Sequence, residues 1–205
     1  IIMENLHGIK RTLGSRQKAK KPLLINDLKL IIKAIDEEKI RDKALILIGF
    51  SGGFRRSELV NIHISDIEFV TEGVKIFIKR SKTDQSGEGS VKAIPYFDNQ
   101  EFCPVVALKN YVNKKFLNTN EGKIFNISDK SVALIIKRYA KKAGLDSSKY
   151  AGHSLRSGFA TTAAEFGAEE RNIMAMTGHK STEMVRRYIK EANLFKNNAL
   201  NKIKI

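Results

Sequence analysis

A chain of 205 residues with 42% hydrophobic and 29% charged residues, 14 Gly and 3 Pro is long enough for one domain with a real core, and this balance excludes collagen-like, low-complexity and wholly disordered architectures. Lys plus Arg number 37 against 22 Asp plus Glu, a net charge of +15, so a polyanionic partner is expected, nucleic acid first. The single cysteine, Cys103, excludes an internal disulfide. The longest apolar runs, such as residues 44–50, fall far short of the roughly 20 residues that span a bilayer, so no membrane association is expected. A start on Ile1-Ile2-Met3, without the charged onset and cleavage site of a signal peptide, leads us to expect a piece of a longer chain.

Residues 10–21 carry Lys10, Arg11, Arg16, Lys18, Lys20 and Lys21 with no acid, plus Gly14 and Ser15, and Pro22 closes the stretch. It reads as an exposed connector, either a solvated tail or a strand of positive charge laid along phosphates. With Asn26 as N-cap, Leu28, Ile31, Ile32 and Ile35 recur at helical spacing through about residue 38. Residues 40–50 form a second, more apolar helix stopped by Ser51-Gly52-Gly53, and residues 55–63 a short third one opened by that glycine turn. Residues 67–70, 74–79 and 91–95 read as a small antiparallel sheet, with Glu72-Gly73 turning the first hairpin and residues 84–90 forming a longer second loop. Helical periodicity returns over 104–117 and 131–143, then over 153–166, 169–176, 181–189 and 193–203, with Gly144, Gly167 and Gly178 placed as stops. The expected fold class is mainly α with a small three-stranded antiparallel sheet, which by itself names no activity.

Five segments concentrate the residues that can carry chemistry: Gly53-Phe54-Arg55-Arg56-Ser57-Glu58-Leu59, Ser81-Lys82-Thr83-Asp84, His153-Ser154-Leu155-Arg156, Thr177-Gly178-His179 and Arg187-Tyr188. Arg156 follows His153 by three residues, so on a helix both side chains leave one face about one turn apart and can share one anion. Each residue alone has an ordinary reading. Arg55 is then a surface cation paired with Glu58, Lys82 a turn lysine, the histidines buried structural groups, and Tyr188 a core ring like Tyr96, Tyr111, Tyr139 and Tyr150. Metal binding by the two histidines lacks a His-x-x-x-His pair, an adjoining acidic cluster or a second cysteine, so no metal is expected.

Taken in this order, with nine residues from His179 to Tyr188, the segments resemble the tyrosine recombinase (phage integrase) family from about Pro22 to Tyr188. The resemblance implies that family's catalytic-domain fold. It makes residues 1–21 the end of an upstream DNA-clamping domain with its basic linker, and 22–205 the catalytic domain with a C-terminal helix. It implies that Arg55 and Arg156 clamp the non-bridging oxygens of a scissile phosphate, which planar guanidinium forks match. Lys82 would protonate the departing 5′ oxygen, with Lys79 and Arg80 as substitutes among the nearby cations Lys75 and Lys92. His153 would exchange a proton with the tyrosine, and His179 would donate to a non-bridging oxygen. Tyr188 would attack phosphorus to give a 3′-phosphotyrosyl intermediate, with neither metal nor ATP and no other cofactor.

Glu58 is expected to orient an arginine, and Arg56 stands where the family often has an apolar residue. Lys10, Arg11, Arg16, Lys18, Lys20, Lys21, Arg56, Lys79, Arg80, Arg186 and Arg187 are the expected contacts to DNA backbone, and the last two are also expected to favour the Tyr188 phenolate. The implied partners are double-stranded DNA, further copies of the chain in a homotetramer linked through Leu194, Phe195, Leu200 and Ile203 of the last helix, and accessory DNA-bending proteins. The implied location is the cytoplasm, on DNA, for a protein of bacterial or phage origin. A type IB topoisomerase and a catalytically idle DNA-binding relative are the alternatives.

Overall fold

The computed structural model describes residues 20–79, 89–117, 121–196 and 199–203. Lys10, Arg11, Arg16 and Lys18 of the basic connector, and Arg80 and Lys82 of the second hairpin loop, lie outside the described residues.

Helix α1 (Ile25–Lys33) is amphipathic and buries Leu28, Ile31 and Ile32. It faces α5 (Asp129–Lys142), whose Val132, Ile135, Ile136, Tyr139 and Ala140 form the matching stripe. It begins before Asn26, whose predicted N-cap place is taken by Leu24, and it ends at Lys33 rather than near residue 38. Ala34 closes the helix by donating to Leu30 and Ile31, and the Asp36 carbonyl then accepts from Lys39 in a separate turn. Helix α2 (Ile40–Ser51) is buried continuously from Ala44 to Ser51. A helix apolar on all sides belongs at the centre, and α2 lies between α4 (Pro104–Lys115) and α6 (Ser154–Glu165).

The third helix, α3 (Arg56–Val60), is shorter than its predicted span of 55–63. Two local carboxylates explain this. Glu58 accepts the backbone N–H of Arg55 and Asp66 accepts that of His63, so the segment breaks into α3 and a 3-10 turn, Ile64–Asp66. The sheet follows as an antiparallel meander of β1 (Ile67–Val70), β2 (Gly73–Ile78) and β3 (Ser90–Pro95), in the order β1-β2-β3. Val70 pairs with Gly73, so Thr71-Glu72 forms the first turn, one residue earlier than predicted. Val74, Ile76 and Ile78 face the core from β2, while Lys92 and Ile94 do so from β3.

A second, smaller core lies among α6, α7 (Glu170–Thr177) and α8 (Thr182–Ala192), built from Ala160, Ala164, Ile173, Val185 and Tyr188. The predicted last helix over 193–203 does not form among the described residues, which hold a turn after Ala192 and a 3-10 turn, Ala199–Lys202. Asn193 stands at the C-cap of α8, where asparagine disfavours further helix because its amide competes for nearby backbone groups. Leu194, Phe195, Leu200 and Ile203 are exposed.

The segment entering α1 is latched to the start of α6. Lys21 N–H donates to Lys149 O at 2.8 Å and Leu23 N–H to Ser154 O at 2.9 Å, and Leu23 is fully buried. Gly158 permits this approach, since a Cβ there would stand 2.0 Å from the Leu23 carbonyl oxygen. Gly158→Ala is therefore expected to destabilise the protein by about 1–3 kcal/mol, as overpacking against backbone does. An unchanged thermal midpoint would contradict the latch.

Candidate active site

Arg55 occupies the N-cap of α3 in extended backbone. Its Nη1 donates to Glu58 Oε1 at 2.6 Å and its Nη2 to Gly178 O at 3.3 Å. Glu58, 6% exposed, also accepts the Arg55 backbone N–H at 2.9 Å. Burial pushes its carboxyl upward, but the bonds from Arg55 and the charges of Lys92 and Arg55 outweigh this and hold it below the ordinary carboxylate value. Glu58 is thus an ionised anchor that aims the guanidinium.

Arg156 projects from the first turn of α6 and is 2% exposed. Its Nη1 donates to Gly53 O at 2.9 Å, whereas its Nη2 is buried with no hydrogen-bond partner among the described residues. Burial and the neighbouring Arg55 draw its pKa down to about 10, against the pull of Glu58 and Tyr188, so it stays charged near neutrality. The carbonyls that receive the two arginines belong to Gly53 and Gly178, with φ of 55° and 62°. Only glycine enters that left-handed region without strain, and there it turns its carbonyl towards the site.

His153 caps α6, and its Nε2 lies 3.3 Å from the Tyr188 hydroxyl oxygen on α8. Burial, then Arg156, Arg55 and Arg56, push this imidazole below its ordinary value, which favours a neutral ring able to accept a proton. Tyr188 is 7% exposed. Its pKa is raised, because burial outweighs the opposing Arg156 and Arg187. Of the flanking arginines expected to favour the phenolate, Arg187 pulls in that direction and is outweighed by burial, while Arg186 is paired with Glu170 at 3.2 Å.

His179 follows Gly178, its ring centroid 6.2 Å from that of Tyr188. The buried Thr177 hydroxyl donates to Ile173 O at 2.6 Å, so it accepts from His179 Nδ1 at 2.7 Å, and Nε2 is the nitrogen left to take up a proton. Burial, then Arg156, Arg55, His153 and Lys92, push His179 down to about 4. The unfolded chain takes that proton near pH 6.5 and the folded protein only near pH 4. Stability conferred by a neutral His179 is therefore present above about 6.5 and is lost as pH falls towards 4. The DNA-free protein should lose about 1–2 kcal/mol over that window, allowing for solvent screening, and His179→Gln should flatten the loss. Equal pH slopes for the two proteins in chemical denaturation would contradict this.

Arg55, His153, Arg156, His179 and Tyr188 thus come together from α3, α6, the end of α7 and α8. Of the predicted DNA contacts, Lys20, Lys21, Arg56, Lys79, Arg186 and Arg187 fall among the described residues. Lys20 donates to Ser148 O and Lys21 pairs with Asp27 at 2.7 Å, both on the latch. Lys79 pairs with Asp66 at 2.7 Å. Arg56 lays its aliphatic stem over Gly152 and is exposed, as is Arg187. Sequence reasoning missed Thr177 and the place of Lys92, an inward-facing residue of β3 that is 5% exposed. The signal for Lys92 was present, since it falls on the apolar face of an alternating strand. Among the described residues no group of three or more His, Cys, Asp or Glu could hold a metal, and no helix is long and apolar enough to cross a membrane.

Two guanidinium groups, two imidazoles and a tyrosine hydroxyl make a site suited to a phosphodiester, and comparison with known proteins points to the same class. The profile of the phage integrase family matches residues 21–194, and the chain belongs to that family. An integrase/recombinase XerD homolog from Selenomonas ruminantium is 46% identical over 99% of this chain and 63% of its own length. Tyrosine recombinase XerA of Pyrococcus furiosus is 31% identical over 84% of this chain and 60% of its own. The chain therefore spans about three-fifths of the length of these curated relatives. Among solved structures, that of XerA recombinase matches with a TM-score of 0.69 at 22% identity, over 93% of this chain and 67% of that one. A lambda integrase dimer bound to a COC′ core site matches at 0.62 and 20% identity, over 93% of this chain and 53% of that one. The helical body with its three-stranded sheet is thus the fold of tyrosine recombinase catalytic domains.

Proposed function

We propose that the protein is a site-specific DNA recombinase that cuts and rejoins strands through a 3′-phosphotyrosyl intermediate. The observation that carries this reading is the 3.3 Å approach of His153 Nε2 to the Tyr188 hydroxyl oxygen beside the two anchored guanidinium groups. Arg55 and Arg156 bind the two non-bridging oxygens of the scissile phosphate, where charge grows in the transition state. Neutral His153 takes the proton of Tyr188, which its buried setting would otherwise retain. The Tyr188 oxygen then forms a bond to phosphorus as the bond to the 5′ oxygen breaks. Lys82, on the second hairpin loop, gives the departing oxygen its proton. An incoming 5′ hydroxyl reverses these steps on another strand, and because a phosphotyrosyl ester replaces a phosphodiester, no external energy source enters. The phosphate also raises the proton affinity of His179, which then donates from Nε2.

Binding rests chiefly on backbone phosphates, with Arg56, Arg187 and the basic connector supplying charge beyond the site. Affinity should fall with salt by a log–log slope near −0.9 per phosphate contacted. One solved structure of similar fold is a lambda integrase tetramer bound to a Holliday junction. For this chain we take four copies on paired duplexes as the working assembly, with the exposed Leu194, Phe195, Leu200 and Ile203 as the apolar points set against a neighbour. Accessory DNA-bending proteins and a place on DNA in the cytoplasm accord with that work.

The test is incubation with a nicked duplex from the DNA flanking the gene, so that cleavage releases a short fragment and traps the protein. A denaturation-resistant 3′ adduct with a free 5′ hydroxyl is expected. Binding without an adduct would leave a catalytically idle DNA-binding protein, and relaxation of supercoiled plasmid without partner sites would leave a topoisomerase.

A further inference from the structure

Lys92 sits where an aliphatic residue would be expected. It faces inward on β3 beside Ile94 and opposite Ile76, which is fully buried. Its ammonium donates to Gly52 O at 2.7 Å and to Met176 O, and it lies 4.7 Å from the centroid of the Phe54 ring. Both carbonyls belong to turns that carry reacting groups. Gly52 opens Gly53-Phe54-Arg55, whose Gly53 carbonyl also holds Arg156. Met176 precedes Thr177-Gly178-His179, whose Gly178 carbonyl holds Arg55. One cation therefore fastens three stretches distant in sequence, and its strand is the one that leaves the loop carrying Lys82.

Burying a lysine is costly unless hydrogen bonds and charges compensate it. Burial draws its pKa down to about 8, with Glu58 pulling upward and Arg156 and Arg55 downward. An apolar residue at 92 would pack without that cost, so stability alone does not account for a lysine.

We propose that Lys92 is a positioning residue for strand cleavage, its ammonium locking the Gly52-Gly53 turn to the end of α7 so that Arg55, Arg156 and His179 converge on one phosphate. It acts through these groups and does not itself donate to the leaving oxygen, because two of its three protons are committed to carbonyls beneath the site and the side chain is buried. The inference rests on the recombinase reading.

The test compares Lys92→Met and Lys92→Gln with the unchanged protein in single-turnover capture of a nicked duplex at saturating DNA. Lys92→Met is expected to fold with an equal or higher thermal midpoint, bind DNA within about twofold, and capture about 10- to 100-fold more slowly, as when partners that orient a reacting group are lost. Lys92→Gln, which keeps N–H donors one bond short, should recover part of the rate. If Lys92→Met does not fold, a Lys92→Gln rate equal to that of the unchanged protein overturns the proposal and a reduced rate supports it.

A second substrate carries sulfur in place of the bridging 5′ oxygen. A thiolate leaves without a proton, so this substrate restores a protein lacking the acid. Lys82→Ala should be rescued on it, and Lys92→Met should remain slow. Rescue of Lys92→Met would make Lys92 the proton donor and overturn the positioning role, as would capture at the full rate on the ordinary duplex. If the unchanged protein captures nothing, the recombinase reading fails instead.

Discussion

Tyr188→Phe should abolish covalent capture of nicked DNA while leaving duplex affinity within about twofold, as measured by gel-resolved adduct formation and equilibrium binding. The substitution removes one oxygen and keeps the ring in its small core with Val185 and Ile173. The lost hydrogen bond to His153 is long at 3.3 Å, so the folding cost should not exceed about 1 kcal/mol. Three of the four other phenols are engaged elsewhere. The hydroxyl of Tyr139 is held by Asp42, that of Tyr150 by Asp27, and that of Tyr111 donates to Ile124 O. Binding draws on phosphate contacts spread over a strongly basic surface, so loss of the nucleophile leaves it nearly intact. An adduct persisting in Tyr188→Phe would mean that another group attacks phosphorus.

Arg156→Lys should slow capture by about 10²- to 10³-fold, the range seen when one preorganised donor to a developing oxyanion is lost. Arg156 uses Nη1 on Gly53 O and keeps Nη2 buried without a partner among the described residues. That division of labour needs a fork. A lysine donates from one nitrogen on a flexible stem and cannot reach the carbonyl and a phosphate oxygen from two separate nitrogens as the fork does. Arg156→Met carries the complementary expectation for stability. Removing a buried cation with an unsatisfied N–H should leave the thermal midpoint unchanged or higher, with capture lost. A protein that loses activity and gains stability through one change has a group held for chemistry. Capture by Arg156→Lys at near the normal rate would contradict the clamp.

Much of the site was legible because its residues carry local signatures. The His153-x-x-Arg156 spacing requires a helix to place both on one face, and α6 begins there. The glycines before Arg55 and His179 mark turns, and both Gly53 and Gly178 adopt positive φ. What stayed hidden depends on tertiary contacts. Lys92 falls on the apolar face of β3, so its inward place is legible, but only the packing of β3 under two distant turns reveals what its ammonium ties together. Sequence likewise places arginines beside Tyr188 but cannot weigh their pull towards the phenolate against its burial, which prevails. The helix expected over 193–203 does not form among the described residues, where Asn193 at the C-cap of α8 favours a turn.

The central claim is that one phenolic oxygen, that of Tyr188, takes the 3′ phosphate. Digestion of the captured complex and mass spectrometry of the nucleotide-linked peptide test it most directly. The account predicts a single modified peptide containing Tyr188, joined to a 3′ phosphate. A nucleotide on Tyr96, Tyr111, Tyr139 or Tyr150, or a linkage through a 5′ phosphate, would contradict it.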